Sequence, residues 1–241
     1  MADSQILSDV ALKIANFSYR YPDGTAALEQ INLELHYGES LAVIGPNGAG
    51  KSTLLLGMAG LLHGPGEIFL RGRLLTRSNA KKLRREIALV FQDPDDQLFM
   101  PVLEEDVAFG PQNLGLDPGE VERRVVAALQ RVNLLDKRQR PPHHLSYGEK
   151  RRAALATALA MEPEILLLDE PTSNLDPATR RELIEYLKSL SISLVVSTHD
   201  LDLAGSLCSR SALLSSGRLI AVAKTDEILS NGELLRHHRL L

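Results

Sequence analysis

The chain has 241 residues, 44% of them hydrophobic and 24% charged, with a formal net charge of −4. That is enough apolar chain for one large domain or two intimate subdomains, while the basic clusters Lys81-Lys82, Arg84-Arg85 and Lys150-Arg151-Arg152 are too short to neutralise a run of phosphates, so no nucleic-acid partner is expected. The single cysteine, Cys208, excludes an internal disulfide and fits a reducing compartment. The longest apolar runs, such as residues 54–62, fall short of the roughly 18 residues a membrane span needs. The opening MADSQILSD carries acids and no cationic stretch, which does not read as a signal peptide. A cytosolic protein is expected, with any membrane role reached through a partner.

In chain order, ALKIANFSY (11–19) reads as a strand, and PDG (22–24) as a turn in which Pro presets φ and Gly accepts a positive φ. INLELHYGESLAVIG (31–45) reads as two strands joined at Tyr37-Gly38-Glu39, with Ile31, Leu33 and Leu35 alternating as on a half-buried strand. LAVIG (41–45), ILLLDE (165–170) and LVVST (194–198) do not alternate. Short unbroken apolar runs of this kind fit strands of a parallel sheet covered on both faces. TLLLGMAGLL (53–62) reads as a helix. Residues 94–161 have a different texture. In DPGEVERRVVAALQRVNLL (117–135), Asp117 is an N-cap, Pro118 the first helical residue and Glu120 lies three residues past the cap. Val121, Val125, Leu129 and Val132 then share one helical face. EKRRAALATALAM (149–161) is a second helix. SALLSSGRLIAVA (211–223) is hairpin-like, and LLRHHRLL (234–241) reads as an extra helix or a loose tail. The whole is α/β with a helical insertion and no linker between independent domains.

GPNGAGKS (45–52) fits the G-x-x-x-x-G-K-[ST] phosphate loop, after a buried strand and before a helix. Gly45, Gly48 and Gly50 let the backbone wrap, with Pro46 shaping the turn, so that N–H groups along Asn47, Ala49 and Thr53 point toward phosphate oxygens. Lys51 neutralises β- and γ-phosphates and the Ser52 hydroxyl ligates Mg²⁺. ILLLDE ends in two acids: Asp169 is placed to hold Mg²⁺ through water, and Glu170 to act as general base on the attacking water.

The phosphate loop, LSYGE (145–149), ILLLDE, SNLD (173–176) and STHD (197–200) follow in that order, and the chain thereby resembles an ATP-binding cassette (ABC) ATPase over essentially its full length. The resemblance implies a phosphate-loop NTPase core with a parallel sheet, an N-terminal antiparallel β subdomain and an inserted α-helical subdomain. Residues 1–93 and 162–241 would form the core and 94–161 the helical subdomain, all within a single ATP-binding domain. It implies ATP and Mg²⁺ as cofactors, Tyr21 stacked on adenine, Gln92 near Mg²⁺ and the water, Asp176 at a dimer seam and His199 on the γ-phosphate. Leu145, Ser146, Tyr147, Gly148 and Glu149 would face the nucleotide of a second subunit, in a homodimer or a heterodimer with a similar ATPase.

LSYGE departs from the family's common LSGGQ at Tyr147 and Glu149. Ser146 and Glu149 also make S-x-x-E, a capping box, and a capped helix start offers N–H groups and a positive dipole end to an anion. Glu149 is then expected to turn back onto the cap or to pair with Lys150 or Arg151. Residues 91–116, FQDPDDQLFMPVLEEDVAFGPQNLGL, resemble the ATPases of energy-coupling-factor (ECF) importers, with AFGPQNLGL and LSYGEK leaning to the cobalt/nickel branch. That implies a transmembrane coupling subunit docking near Asp95, Asp96 and Gln97, a substrate-binding membrane subunit, and a peripheral place on the cytoplasmic face of the membrane. An ECF ATPase for a vitamin, or a soluble ABC ATPase, is the alternative. The pairs His143-His144 and His237-His238 do not read as a metal site, since adjacent histidines rarely chelate one ion and nothing completes the ligand set.

Overall fold

The computed structural model describes residues 9–83 and 85–241; Arg84 of the basic cluster and most of the N-terminal MADSQILSD lie outside them. The chain runs through β1 (Val10–Arg20), β2 (Ala26–His36), β3 (Ser40–Ile44), α1 (Lys51–Met58), β4 (Glu67–Leu70), β5 (Arg73–Leu74), α2 (Ala80–Leu83) and β6 (Ile87–Val90). Helices α3 (Leu103–Asn113), α4 (Pro118–Arg131) and α5 (Tyr147–Leu159) follow, then β7 (Ile165–Asp169), α6 (Pro177–Lys188), β8 (Ser193–Thr198) and α7 (Leu201–Leu207). The last elements are β9 (Arg210–Ser215), β10 (Arg218–Lys224), α8 (Thr225–Ser230) and α9 (Gly232–His237).

β1 and β2 form an antiparallel pair across the PDG turn, where Gly24 N–H donates to Tyr21 O at 2.9 Å and Gly24 takes φ +90°. They belong to an antiparallel sheet of order β2-β1-β4-β5. β3, next in sequence after β2, does not join it. The chain turns at Tyr37–Glu39, with Gly38 at φ +68°, and β3 enters a second sheet of order β10-β9-β3-β8-β7-β6. β9, β3, β8, β7 and β6 run parallel there, and β10 pairs antiparallel to β9.

The unbroken apolar strands have a simple cause. Alternate residues of one strand serve two cores. Leu41, Val43, Ile165 and Leu167 pack with α1 and the antiparallel sheet, while Ala42, Ile44, Leu166 and Leu168 pack with α3–α5 and the C-terminal helices. Each such Val, Leu or Ile side chain contributes about 1.5–3 kcal/mol on burial.

α4 starts where its cap requires: Asp117 Oδ1 accepts from Gly119 and Glu120 N–H, both at 3.1 Å. Val121, Val125 and Leu129 are buried as their spacing predicts, whereas Val132 is buried just past the helix end. α5 begins at Tyr147, two residues ahead of the periodic run, because Ser146 and Glu149 close a capping box. The C-terminal LLRHHRLL is no loose tail over 234–237: these residues belong to α9, which docks through the buried Leu235 into the same core as α3–α5. Burial pushes the Cys208 thiol up to about 12, in keeping with a small buried hydrophobe. Among the described residues no helix is long and apolar enough to cross a membrane.

Candidate active site

Parallel register gathers the site. Val90 lies beside Leu168, Asp169 beside Ser197, and Ile44 beside Thr198. The carboxyl ends of β6, β7, β8 and β3 therefore emerge together, which is where open α/β sheets place their ligands. An open cleft of about 1020 Å³ lies there, lined by Tyr21, residues 47–53, Gln92, Glu170 and His199. Asp169 lies buried beneath it.

The loop is a backbone cradle whose glycines are held at two points. A Cβ on Gly45 would lie 2.2 Å from Leu214 O, and one on Gly50 would lie 2.6 Å from Ala27 O. Gly50 also takes φ +104° as the residue preceding α1, a region an L side chain rarely enters. The first helical bond runs from Leu54 N–H to Gly50 O at 2.9 Å, so the N–H groups of Lys51, Ser52 and Thr53 precede it at the positive end of the helix. Lys51 Nζ folds back to Gly45 O at 2.8 Å and Pro46 O at 3.3 Å, and stands 3.4 Å from Glu170 Oε1. Inward N–H groups, one lysine, a hydroxyl and carboxylates form a hard-oxygen and cationic donor set, which fits a Mg²⁺ nucleotide. Tyr21, 37% exposed, bonds through its hydroxyl to Thr53 Oγ1 at 2.9 Å, so its ring stands at the rim of the cleft.

Glu170 is the most constrained side chain of the site. Its backbone takes φ +45°, an uncommon state for a residue with a Cβ, and its side chain is 6% exposed. Oε1 accepts from His199 N–H at 3.1 Å and meets His199 Nδ1 at 3.0 Å. Oε2 accepts from Thr198 Oγ1 at 3.3 Å and Ser173 Oγ at 3.4 Å. The neighbouring Asp169 carboxylate accepts from Ser197 Oγ. The His199 ring is 54% exposed, so it is no satisfied core histidine.

Residues 145–149 and Asp176 do not line this cleft. Ser146 caps α5, its Oγ accepting from Glu149 N–H at 3.3 Å and its N–H donating to Glu149 Oε2 at 2.9 Å. Tyr147 is not among the residues with positive φ, so tyrosine replaces glycine there without backbone strain. Leu145 is buried, and Gly148 backs onto Thr179. Asp176 caps α6, accepting from Ala178 N–H at 2.9 Å and Thr179 N–H at 3.1 Å.

Two expectations shift. Glu149 turns back onto the cap as expected, but its ion-pair partner is Lys137 and not Lys150 or Arg151, because Lys150 reaches Asp95 and Arg151 turns inward. Gln97 is directed into the protein and not toward a partner: its amide N–H groups reach Ala154 O at 2.9 Å and Thr157 Oγ1 at 2.6 Å, and Oε1 accepts from Phe91 N–H at 3.1 Å. Asp95 and Asp96 stay exposed.

Sequence pattern misses Arg151, which reads as one member of the basic cluster Lys150-Arg151-Arg152. It is 3% exposed, and its guanidinium donates to Phe91 O at 3.1 Å and Glu170 O at 3.2 Å. It thus ties α5 to the segment before Gln92 and to the backbone of Glu170. Helical spacing is the signal that could find it, since Arg151 shares a face with Leu155 and Leu159. Ser173, Ser197 and Thr198 are missed as site residues too, although they open the SNLD and STHD stretches.

The Lys137 ion pair and the Ser146 N–H hold the Glu149 carboxyl down at about 2, below the unfolded value of about 4.3. A depressed acid stabilises the fold above its unfolded pKa and loses that contribution as pH falls through the folded one. Urea unfolding should therefore show wild type more stable than Glu149→Gln at pH 6, with the gap closing between about pH 4.3 and 2. A gap independent of pH would remove the ion pair as its cause.

The family model described as "ABC transporter" matches residues 28–173. The energy-coupling factor transporter ATP-binding protein EcfA of Methanothermobacter thermautotrophicus is 47% identical over 95% of this chain and 76% of its own length. The solved structure of cbiO1 from Clostridium perfringens, described as part of the ABC transporter complex cbiONQ, superposes with a TM-score of 0.82 at 38% identity, covering 96% of this chain and 95% of that one. The dimeric ATP-binding cassette MJ0796, in a post-hydrolysis state bound to ADP and Pi, gives a TM-score of 0.80 at 29% identity over 89% of this chain and 98% of that one.

Proposed function

The chain belongs to the ABC transporter family of Mg²⁺-dependent ATPases, and we propose that it powers an ECF-type importer of cobalt or nickel ions. The observation that carries the chemistry is the Glu170 carboxylate, held by Lys51, Thr198 and His199 beside the glycine loop. The ECF-type reading draws on the likeness to EcfA and to cbiO1. The cargo reading draws on AFGPQNLGL and LSYGEK.

Bound MgATP supplies the phosphoryl group transferred to water and a metal ion that withdraws charge from it. The loop N–H groups of Gly45 to Thr53 and the Lys51 ammonium bind and orient the phosphates. The Ser52 hydroxyl, Gln92 and Asp169 hold the metal, with Ser197 orienting Asp169. Glu170 positions the attacking water and receives its proton at a carboxylate oxygen. His199 contacts the γ-phosphate and keeps Glu170 in place. Tyr21 offers its ring face to adenine.

Leu145 to Glu149 act on the nucleotide of a second subunit, in a homodimer or heterodimer with Asp176 at the seam. Residues 94–161 move as the helical subdomain between the core of 1–93 and 162–241. On that subdomain Phe99 is 61% exposed and meets Phe109 edge-to-face at 5.2 Å. This aromatic pair, flanked by Asp95 and Asp96, is where a transmembrane coupling subunit would dock, alongside a substrate-binding membrane subunit. The complex would sit on the cytoplasmic face of the membrane.

Nickel and cobalt uptake in cells expressing the chain with its genomic neighbours is the decisive measurement. It should disappear with Glu170→Gln. Equal uptake in wild type and variant, with the pure wild type active as an ATPase, would move the cargo to a vitamin or other small solute.

A further inference from the structure

Arg151 is a charged side chain buried on α5, at 3% exposure. Desolvating a guanidinium is costly, and burial draws its pKa down. Packing alone does not call for arginine here, since Leu155 and Leu159 on the same helical face are apolar and buried. Its two terminal nitrogens go to main-chain oxygens rather than to a carboxylate. Nη1 donates to Phe91 O at 3.1 Å and Nη2 to Glu170 O at 3.2 Å. The guanidinium carbon lies 5.4 Å from the centre of the Tyr147 ring, a cation–π contact with a residue that parts LSYGE from LSGGQ.

The two carbonyls belong to segments that the chemistry needs in register. Phe91 directly precedes Gln92, and Glu170 carries the base role in the proposed mechanism. The backbone of Glu170 sits in the left-handed region at φ +45°, which a residue with a Cβ takes only where its surroundings impose it. His199, Thr198 and Ser173 hold its carboxylate. Its carbonyl is held separately, by Arg151 and by Ser173 N–H at 3.2 Å. Phe91 is gripped at both polar groups. Its C=O accepts from Arg151, and its N–H donates to Gln97 Oε1, whose amide reaches Ala154 O and Thr157 Oγ1 on the same helix. Phe91 is thereby fixed to α5, and Arg151 measures Glu170 against it.

We propose that Arg151 is a positioning residue for ATP hydrolysis: its planar fork holds the Glu170 backbone at a set distance from Phe91 and so aims the Glu170 carboxylate at the attacking water. This rests on Glu170 being the base. Arg151 does not line the phosphate-loop cleft, so it touches neither nucleotide nor water, and its loss acts on turnover and not on binding. Lysine keeps the charge but is a point donor without the fork, and cannot hold both carbonyls in one fixed relation.

The test uses the purified full chain with Arg151→Lys and Arg151→Met. Both should lower kcat for ATP by about tenfold to a hundredfold, the cost of a small misplacement of a reacting group. KM for MgATP and the affinity for a fluorescent nucleotide should stay within about twofold of wild type. Arg151→Lys keeps the charge and the apolar stem, and Glu170 O keeps its bond from Ser173 N–H, so this variant folds even where Arg151→Met does not. A merely structural role would instead lower binding, turnover and the thermal midpoint together. Because Arg151 acts through Glu170, Arg151→Lys should cost the Glu170→Gln protein no further turnover. Turnover near wild type in Arg151→Lys, a parallel fall of binding and turnover, or an equal further loss in the Glu170→Gln background overturns the proposal. The two readings fail separately. Near-wild-type turnover in Glu170→Gln removes the base assignment and this proposal with it. An inactive Glu170→Gln beside an unimpaired Arg151→Lys removes the role of Arg151 alone.

Discussion

Glu170→Gln is expected to lower steady-state ATP turnover by a factor of about 10²–10⁴ while MgATP binding stays close to wild type. Glutamine fills the same volume and keeps one oxygen to accept from His199 N–H, while its NH2 can donate to Thr198 Oγ1, the two groups that hold the carboxylate now. The positive φ at Glu170 is a backbone property and survives the exchange. The negative charge does not, and neither does a carboxylate oxygen able to receive a proton from water. The Lys51 ammonium, 3.4 Å from Glu170 Oε1, loses its counter-charge and becomes freer to meet phosphate. The variant should therefore bind nucleotide and stall. Fluorescent-nucleotide titration and phosphate release on the same preparation separate the two effects. Turnover near wild type would remove Glu170 as the base.

Ser146→Arg is expected to abolish ATP-driven dimerisation without weakening nucleotide binding to the monomer. In the monomer Ser146 does not line the phosphate-loop cleft. It is exposed, and its side chain is engaged in the capping box alone. Losing that cap costs about 1 kcal/mol, which a domain of this size withstands. The larger effect is expected between subunits: in the proposed dimer the helix start meets the partner's nucleotide, and an arginine side chain would fill that space. Size-exclusion chromatography in ATP, with Glu170→Gln in both proteins to prevent turnover, reads this directly. Ser146→Ala is the control, since it removes the cap without adding bulk and should still dimerise. If Ser146→Arg dimerises like its parent, 145–149 is a helix cap and nothing more.

Local chemistry makes much of this protein legible in its sequence. GPNGAGKS needs its glycines because backbone must approach backbone, and Gly45 and Gly50 do lie against Leu214 O and Ala27 O. Asp117, Ser146 and Asp176 all cap helices, because a side-chain oxygen next to free N–H groups acts within three residues. The doubly buried strands show themselves as unbroken apolar runs.

Contacts between distant segments are not legible in this way. Sequence pattern does not reveal that β2 and β3 part into different sheets, that Lys137 claims Glu149, or that Gln97 turns into α5. Each depends on which of several reachable partners the packing brings close. Arg151 is the clearest case: in the sequence it is one of three consecutive basic residues, and in the fold it is buried between the carbonyls of Phe91 and Glu170. The family, the phosphate loop, the acids at the end of β7 and the helix caps can all be read along the chain, since each rests on residues close together in it. Which polar groups hold Glu170 in place, and how α5 reaches its backbone, depends on parallel register and helix packing between residues far apart in the chain, and so is visible only in the folded molecule.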